Sequence, residues 1–502
     1  MGSGALTMRQ VVLIAGVAEV LGAVTLGKGV ADTLTKKISY LHRDDCWDCD
    51  GGVGKLGLYS LGMASALASG GLFLLLATLY GMPVSTTHAI VGAVLGITIL
   101  GTSARCVRWG WHGLANIVAS WFVSPVFSGL VSGLLMVGIN RLVLRAEAPF
   151  ENACRALPLL FGFTVAVVLL MILGAADGLG FWPNAGIAAG TGLLLAALVH
   201  CAAVPRLRRA VEREVTAVPA AAAKAGPVAA VELSPTVSTR SLEAGEGDGG
   251  GGAAEKEEEG EGEGEGEDAG AAPVFEAQVV HLDVEGLVGD VEAEAAAEAE
   301  GEALLASGGG GGGGARALSG ARAERLFLYL QVFTACLKSF AHGANDTANA
   351  AGPFAVVQQY YFADKAAAGF AMCDIATPFW VLLCAGLGIV LGLAVLGHKV
   401  IQTVGSDITK VNFTRGFAIE LGSTLSVLLA SFFGAPVSST HCQIGSVLAI
   451  GVLEAGPKAV DWSSIGKIVV AWVVTVPFAA AVGAAIMWGI AAALEAARIG
   501  SR

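Results

Sequence analysis

Charge is scarce in this chain. Asp, Glu, Lys and Arg make up only 14% of its 502 residues, apolar types reach 54%, and the mean hydropathy is +0.68. So few surface-forming side chains exclude an ordinary soluble globular domain and leave the bilayer as the natural solvent. Neither His-Glu-x-x-His nor Gly-x-Ser-x-Gly occurs, which removes two sequence grounds for a hydrolase. No enzyme activity and no resident cofactor are expected. Close cysteine pairs are also few. Of nine cysteines only Cys46 and Cys49 lie near one another, and several others, such as Cys201, Cys336 and Cys384, sit in apolar stretches. A lone C-x-x-C favours neither metal nor redox chemistry, with a local disulfide or a metal contact as the alternative. No basic leader precedes the first apolar stretch, which begins near Val11, so the first span is expected to do the targeting.

What charge there is lies unevenly. Positions 241 to 302 hold 21 of the 42 acidic residues and one basic residue, Lys256, leaving 29 Lys and Arg against 21 Asp and Glu elsewhere. The formal charge of -12 therefore belongs to one segment and implies no basic partner for the remainder; no nucleic-acid partner is expected. Glu-Gly repeats and the run Gly308 to Gly314 mark 205–322 as a disordered cytosolic linker, with a regulatory or partner-binding tail as the alternative. It separates an N-terminal membrane half, 1–204, from a C-terminal half, 323–502. Apolar stretches able to cross about 30 Å of hydrocarbon occur near 10–31, 57–80, 84–102, 113–140, 156–176 and 184–204. A second set lies near 326–342, 369–396, 416–434, 437–454 and 466–494. They lack the alternation of barrel strands, so about 11 helical membrane segments are expected. Arg206, Arg208, Arg209 and Arg213 before the linker, and Arg316, Arg322 and Arg325 after it, place it in the cytosol by the positive-inside rule.

Self-similarity is the most informative feature. Gly81-Met82-Pro83-Val84-Ser85-Thr86-Thr87-His88 recurs as Gly434-Ala435-Pro436-Val437-Ser438-Ser439-Thr440-His441, and Leu26–Thr33 echoes Leu396–Thr403 in the same order. Duplicated halves are a common transporter plan, with substrate held near the midplane where helices break. Proline at a first helical position, hydroxyls that cap, and unpaired amides at a positive dipole end suit an anion. Ser85, Thr86, Thr87, Ser438, Ser439 and Thr440 are the candidate phosphate-type ligands.

A dense polar cluster, His342-Gly343-Ala344-Asn345-Asp346-Thr347-Ala348-Asn349, follows an apolar span. A carboxylate in a membrane costs about 2.5–3.5 kcal/mol on insertion scales unless paired or ion-bound. Asn345, Asp346 and Asn349 are candidate ligands for an alkali cation, with glycine expected to let the backbone unwind nearby. Glu19 and Glu420 face the same cost and join them as cation candidates. Asp32, Asp374 and Lys338 lie nearer predicted helix ends, where snorkelling or capping accounts for them at least as well. His88, His342 and His441 could bind, relay a proton or fix packing.

At these residues the chain resembles the inorganic phosphate transporter family. Gly343 to Asn349 matches its Gly-Ala-Asn-Asp-x-Ala-Asn signature, and both Pro-Val-Ser elements fit. The resemblance covers nearly all of the chain outside the linker and is nearest the eukaryotic members with a long cytosolic loop. It implies an all-α polytopic inverted-repeat carrier with broken helices, which moves inorganic phosphate with sodium across the plasma membrane by alternating access. Proton coupling and a non-transporting phosphate sensor are the alternatives, and a homodimer is compatible with this reading. The family usually carries a further Gly-Ala-Asn-Asp helix ahead of the segment matching Gly2–Thr7. A misassigned initiator methionine is the expectation here, a truncated paralogue the alternative.

Overall fold

The computed structural model describes residues 6–48, 53–175, 180–212, 313–363, 375–402 and 411–500. Eleven α-helices occur among them: α1 Met8–Lys36, α2 Val53–Leu79, α3 Thr86–Gly101, α4 Leu114–Ile139, α5 Pro149–Ala175 and α6 Phe181–Leu198. After the linker come α7 Gly313–Ala363, α8 Phe379–Gln402, α9 Phe413–Phe432, α10 Ser439–Ala455 and α11 Trp462–Gly500. No sheet forms among the described residues. Helices alone satisfy every backbone group within one segment, as hydrocarbon demands. Seven stretches are long and apolar enough to cross a membrane; α3 and α10, at 16 and 17 residues, are short. The chain is a polytopic all-α membrane protein.

Lipid-facing and buried surfaces separate by helical period. On α1, Leu13, Val17 and Leu21 are exposed at four-residue spacing, while Ala23, Val30, Ala31 and Leu34 are buried. Buried helix faces meet through small residues, as membrane packing favours. A Cβ on Gly92 or Gly96 of α3 would press on the backbone of Val476 or Ala480 in α11, and one on Gly445 of α10 on Pro125 in α4. The α3–α11 and α10–α4 contacts thus repeat one design, since Gly92 and Gly445 hold equivalent places in the two copies.

Direction follows from two landmarks. At one end, the N-terminal part of α7 meets α5 and α9 through Phe150 N donating to Ser319 Oγ at 3.1 Å, Arg316 donating to the Arg145 carbonyl, and Thr414 N donating to Glu324 at 2.8 Å. Arginines crowd there, among them Arg145, Arg316 and Arg322. At the other, Cys46 is bonded to Cys106, as suits an oxidising compartment. α3 runs toward the disulfide end. α10 runs toward the arginine end, where Asn140 donates to Glu454. The two copies are therefore inverted.

Three expectations change. Cys46 pairs with Cys106, sixty residues away, so the short-range partner offered by spacing is not the one used; Cys49 lies outside the described residues. Helix continues to residue 212 and resumes at Gly313, inside the expected bounds of the linker, whose central part lies outside the described residues. α7 stays helical through Gly343 to Asn349, so the signature does not unwind.

Candidate functional site

The site begins at the crossing of α1 and α7. A Cβ on Gly343 would overlap the Glu19 carbonyl oxygen, and one on Gly22 the Phe340 carbonyl oxygen. Glycine at both positions lets the two backbones touch, and that contact sets Glu19 beside the polar cluster. His342 Nδ1 lies 2.9 Å from each Glu19 carboxylate oxygen, and its Nε2 lies 3.2 Å from Asp346 Oδ2. The latter is an ion-pair separation without hydrogen-bond alignment. A four-residue step on α7 puts His342 and Asp346 on one face, so one imidazole bridges two carboxylates.

Asp346 reaches the first repeated element through its other oxygen. Oδ1 accepts from the Thr86 hydroxyl at 2.7 Å and from Asn349 Nδ2 at 3.1 Å, while Asn349 Nδ2 also lies 3.0 Å from Thr86 Oγ1. Asn345 donates to Ser431 at 3.3 Å. Asn345, Asp346 and Asn349 are 0%, 6% and 7% exposed, yet among the described residues Asn345 Oδ1, Asp346 Oδ2 and Asn349 Oδ1 have no hydrogen-bond partner. Asp346 Oδ2 still faces His342 Nε2, whereas the two amide oxygens are costly, at about 1–3 kcal/mol each, unless a positive ligand meets them. Glu19, Thr86, His342, Asp346 and Asn349 line a cavity of about 540 Å³, whose remaining walls come mainly from apolar stretches of α2 and α8.

The repeated elements are two matched helix breaks. α2 and α9 each end in a Schellman turn. Gly81 and Gly434 take φ of 65° and 60°; Gly81 N bonds to Thr78 O and Met82 N to Ala77 O, while Gly434 N bonds to Ser431 O and Ala435 N to Ala430 O. The chain then runs extended through Pro-Val-Ser, and Ser85 and Ser438 cap α3 and α10 by accepting from His88 N and His441 N, both at 3.2 Å. The breaks exchange bonds reciprocally. Thr87 donates to the Val437 carbonyl at 3.0 Å, and Thr440 donates to the Val84 carbonyl at 3.1 Å. Beside them four rings line up: Trp121 on His88 at 3.8 Å, His88 on His441 at 4.5 Å, and His441 on Trp472 at 3.6 Å between centroids.

Of the residues singled out by sequence, Glu19, Asp346, Asn349 and Thr86 come together directly. Ser85 and Ser438 serve as caps, Thr87 and Thr440 tie the breaks, and Ser439 is buried at the start of α10 without a side-chain hydrogen bond to a carboxylate or amide among the described residues. Glu420 stands apart. Its Oε2 accepts from Thr334 at 3.0 Å, twelve residues before Asp346 on α7 and so roughly 18 Å along the axis. Lys338 does not snorkel. It lies within α7, and its Nζ is buried with no hydrogen-bond partner, within electrostatic reach of Glu19, Asp346 and Glu420. Asp374 lies outside the described residues. Sequence reasoning missed the bridging role of His342 and the Trp121 and Trp472 stacks; four-residue spacing to Asp346 signals the first, and nothing local signals the second.

A family model described as the phosphate transporter family matches residues 1–483. Human sodium-dependent phosphate transporter 1 is 28% identical over 97% of this chain and 91% of its own length. Sodium-dependent phosphate transporter 2 is 30% identical in Bos taurus and 31% in Cricetulus griseus, again over 97% of this chain and over 93% and 94% of the relatives. A solved structure described as the sodium-dependent phosphate transporter superposes with a TM-score of 0.67 at 26% identity, covering 98% of this chain and 92% of that one.

Proposed function

This chain belongs to the phosphate transporter family, and we propose that it works as a sodium-coupled inorganic phosphate symporter whose two ligands meet between α7 and the paired breaks. It is an integral membrane transporter, not an enzyme, and sodium is its co-transported ion. The plasma membrane fits that activity.

The observation that carries the site assignment is the buried amide oxygens of Asn345 and Asn349, without a hydrogen-bond partner among the described residues, beside the Asp346 carboxylate. Hard neutral oxygens beside a carboxylate are ligands an alkali cation accepts. Sodium there meets the two amide oxygens and shares Asp346 with His342, and Glu19 supports the set from α1 through His342. Glu420 serves a second position nearer the cytosolic end.

Phosphate meets the breaks. Both helices leave their first amides without intrahelical partners, so the amides of Thr86, Thr87, Ser439 and Thr440 face an oxyanion together with the Ser85, Ser438 and Ser439 hydroxyls. Thr86 joins the sites, since its hydroxyl already bonds to Asp346. A cation on Asp346 then changes the potential felt by an anion at Thr86, and each ligand favours entry of the other. Only the loaded or empty carrier would rearrange readily, which is the basis of coupled alternating access.

Asp346→Asn tests the assignment. Labelled phosphate uptake in transport-deficient cells should lose its sodium-dependent component with surface expression unchanged. Normal sodium-dependent uptake in that variant would sink it. Association of two copies is a separate expectation, tested by cross-linking in native membranes.

A further inference from the structure

A second cavity, of about 400 Å³, lies at the disulfide end. Its walls are the end of α1, the connection from 102 to 113, the start of α4 and the stretch Gly434 to Pro436. Thr33, Lys37, Arg108, His112, Asn116 and Ser120 supply the polar lining, and no carboxylate lines it among the described residues. Lys and Arg can only donate, so the complementary ligand is negative and rich in acceptors.

The cavity ends on the second break. Thr33 donates to the Gly434 carbonyl at 2.6 Å, and Ser120 donates to the Pro436 carbonyl at 3.3 Å. Ser438, which caps α10, follows two residues later. The rim is held independently of any ligand. The Cys46–Cys106 disulfide joins the two segments that carry the cations. Ser39 pairs with Val107 in an antiparallel bridge, Arg108 N donates to Ile38 O at 2.9 Å, Tyr40 N donates to Cys106 O at 2.9 Å, and the Arg108 guanidinium donates to the Lys36 carbonyl at 3.1 Å. Arg108 is thus held opposite Ile38, one residue from Lys37, on a stapled ladder. In the adjoining loop Asp45 is taken up by Arg43 at 2.7 Å, which limits its pull on the cations.

We propose that this cavity is an outer capture site for a divalent tetrahedral oxyanion, phosphate in this carrier, which collects the anion before it reaches Ser438 and α10. The proposal rests on the reading of the chain as a phosphate carrier. Converging cations at the mouth of a low-dielectric cleft raise local anion concentration and the rate of entry. Their prior ordering by the disulfide and ladder spares that cost at binding.

The test is sodium-dependent uptake of labelled phosphate, measured as KM and Vmax at low and high ionic strength, for the unaltered chain, Lys37→Gln with His112→Gln, Lys37→Arg, and Cys46→Ser. Loss of the Lys37 charge and the His112 imidazole should raise KM for phosphate about tenfold, the scale of one charge-assisted contact. Vmax and surface level should hold, and the ionic-strength dependence of KM should flatten. A purely structural role would not alter that dependence. Lys37→Arg should keep KM near that of the unaltered chain, and Cys46→Ser should raise it. An unchanged KM in the double variant, with sodium-dependent uptake intact, overturns the capture site. Absence of sodium-dependent uptake in the unaltered chain overturns the transport reading, and the capture site with it.

Discussion

The two helix breaks are built from the same parts and differ in what they face. Each begins with a left-handed glycine, runs through Pro-Val-Ser, and starts a new helix under a serine cap at the same 3.2 Å. Yet Thr86 in the first copy bonds to Asp346 of the signature helix. Its counterpart Ser439 meets no carboxylate among the described residues, and the stretch before it borders the basic outer cavity. One scaffold therefore serves two electrostatic settings. The comparison teaches that the duplicated sequence specifies the geometry of a break, while the helix laid against it decides that break's electrostatic setting.

The asymmetry can be broken experimentally. Thr86→Val removes the hydroxyl that links break to carboxylate and should cut sodium-dependent phosphate uptake roughly tenfold or more, equivalent to about 1.4 kcal/mol. Ser439→Ala removes a hydroxyl that serves the phosphate side alone and touches no carboxylate among the described residues, and should cost less, about threefold. Equal losses in the two variants, read from initial rates, would mean that the copies contribute alike.

The glycines should act through stability. Gly434→Ala forces a side chain into the left-handed region, at about 1–2 kcal/mol, and its Cβ would lie 3.2 Å from the Gly29 carbonyl oxygen. That variant should show a lower melting temperature in detergent than the unaltered chain. An unchanged melting temperature would show that contact with α1 does not constrain that break. Smallest of all, Thr87→Val and Thr440→Val each remove one reciprocal bond, worth about 0.5–1.5 kcal/mol. They should lower stability by matching amounts, and a double variant that adds up would mark the two bonds as independent.

Much of this was legible in the sequence, because octapeptides alike at six of eight positions announce matching turns and a carboxylate in an apolar helix demands a partner. The partner itself was not legible. Glu19 meets His342 only because Gly22 and Gly343 let α1 and α7 touch, and a glycine in an apolar run signals flexibility as readily as close approach. That ambiguity led to the expectation of unwinding at the signature, where the chain instead stays helical. Lys338 misled for a related reason: a lysine near the edge of an apolar window suggests an interfacial position, but α7 is 51 residues long and carries it into the interior. The Cys46–Cys106 bond joins the loop after α1 to the loop after α3, sixty residues apart and brought together only by the tertiary fold, so spacing could not reveal it.

The four stacked rings carry a consequence of their own. Directional hydrogen bonds act as latches, lost within a few tenths of an ångström, whereas aromatic faces keep most of their attraction over centroid separations of about 4.5–7 Å. Across the seam between the inverted halves, the Trp121–His88–His441–Trp472 row is joined by His441 Nδ1 donating to the Trp121 carbonyl at 3.0 Å. The row fills the seam with ring faces, while Thr87 and Thr440 latch the breaks beside it, so one joint combines a tolerant filler with a directional tie.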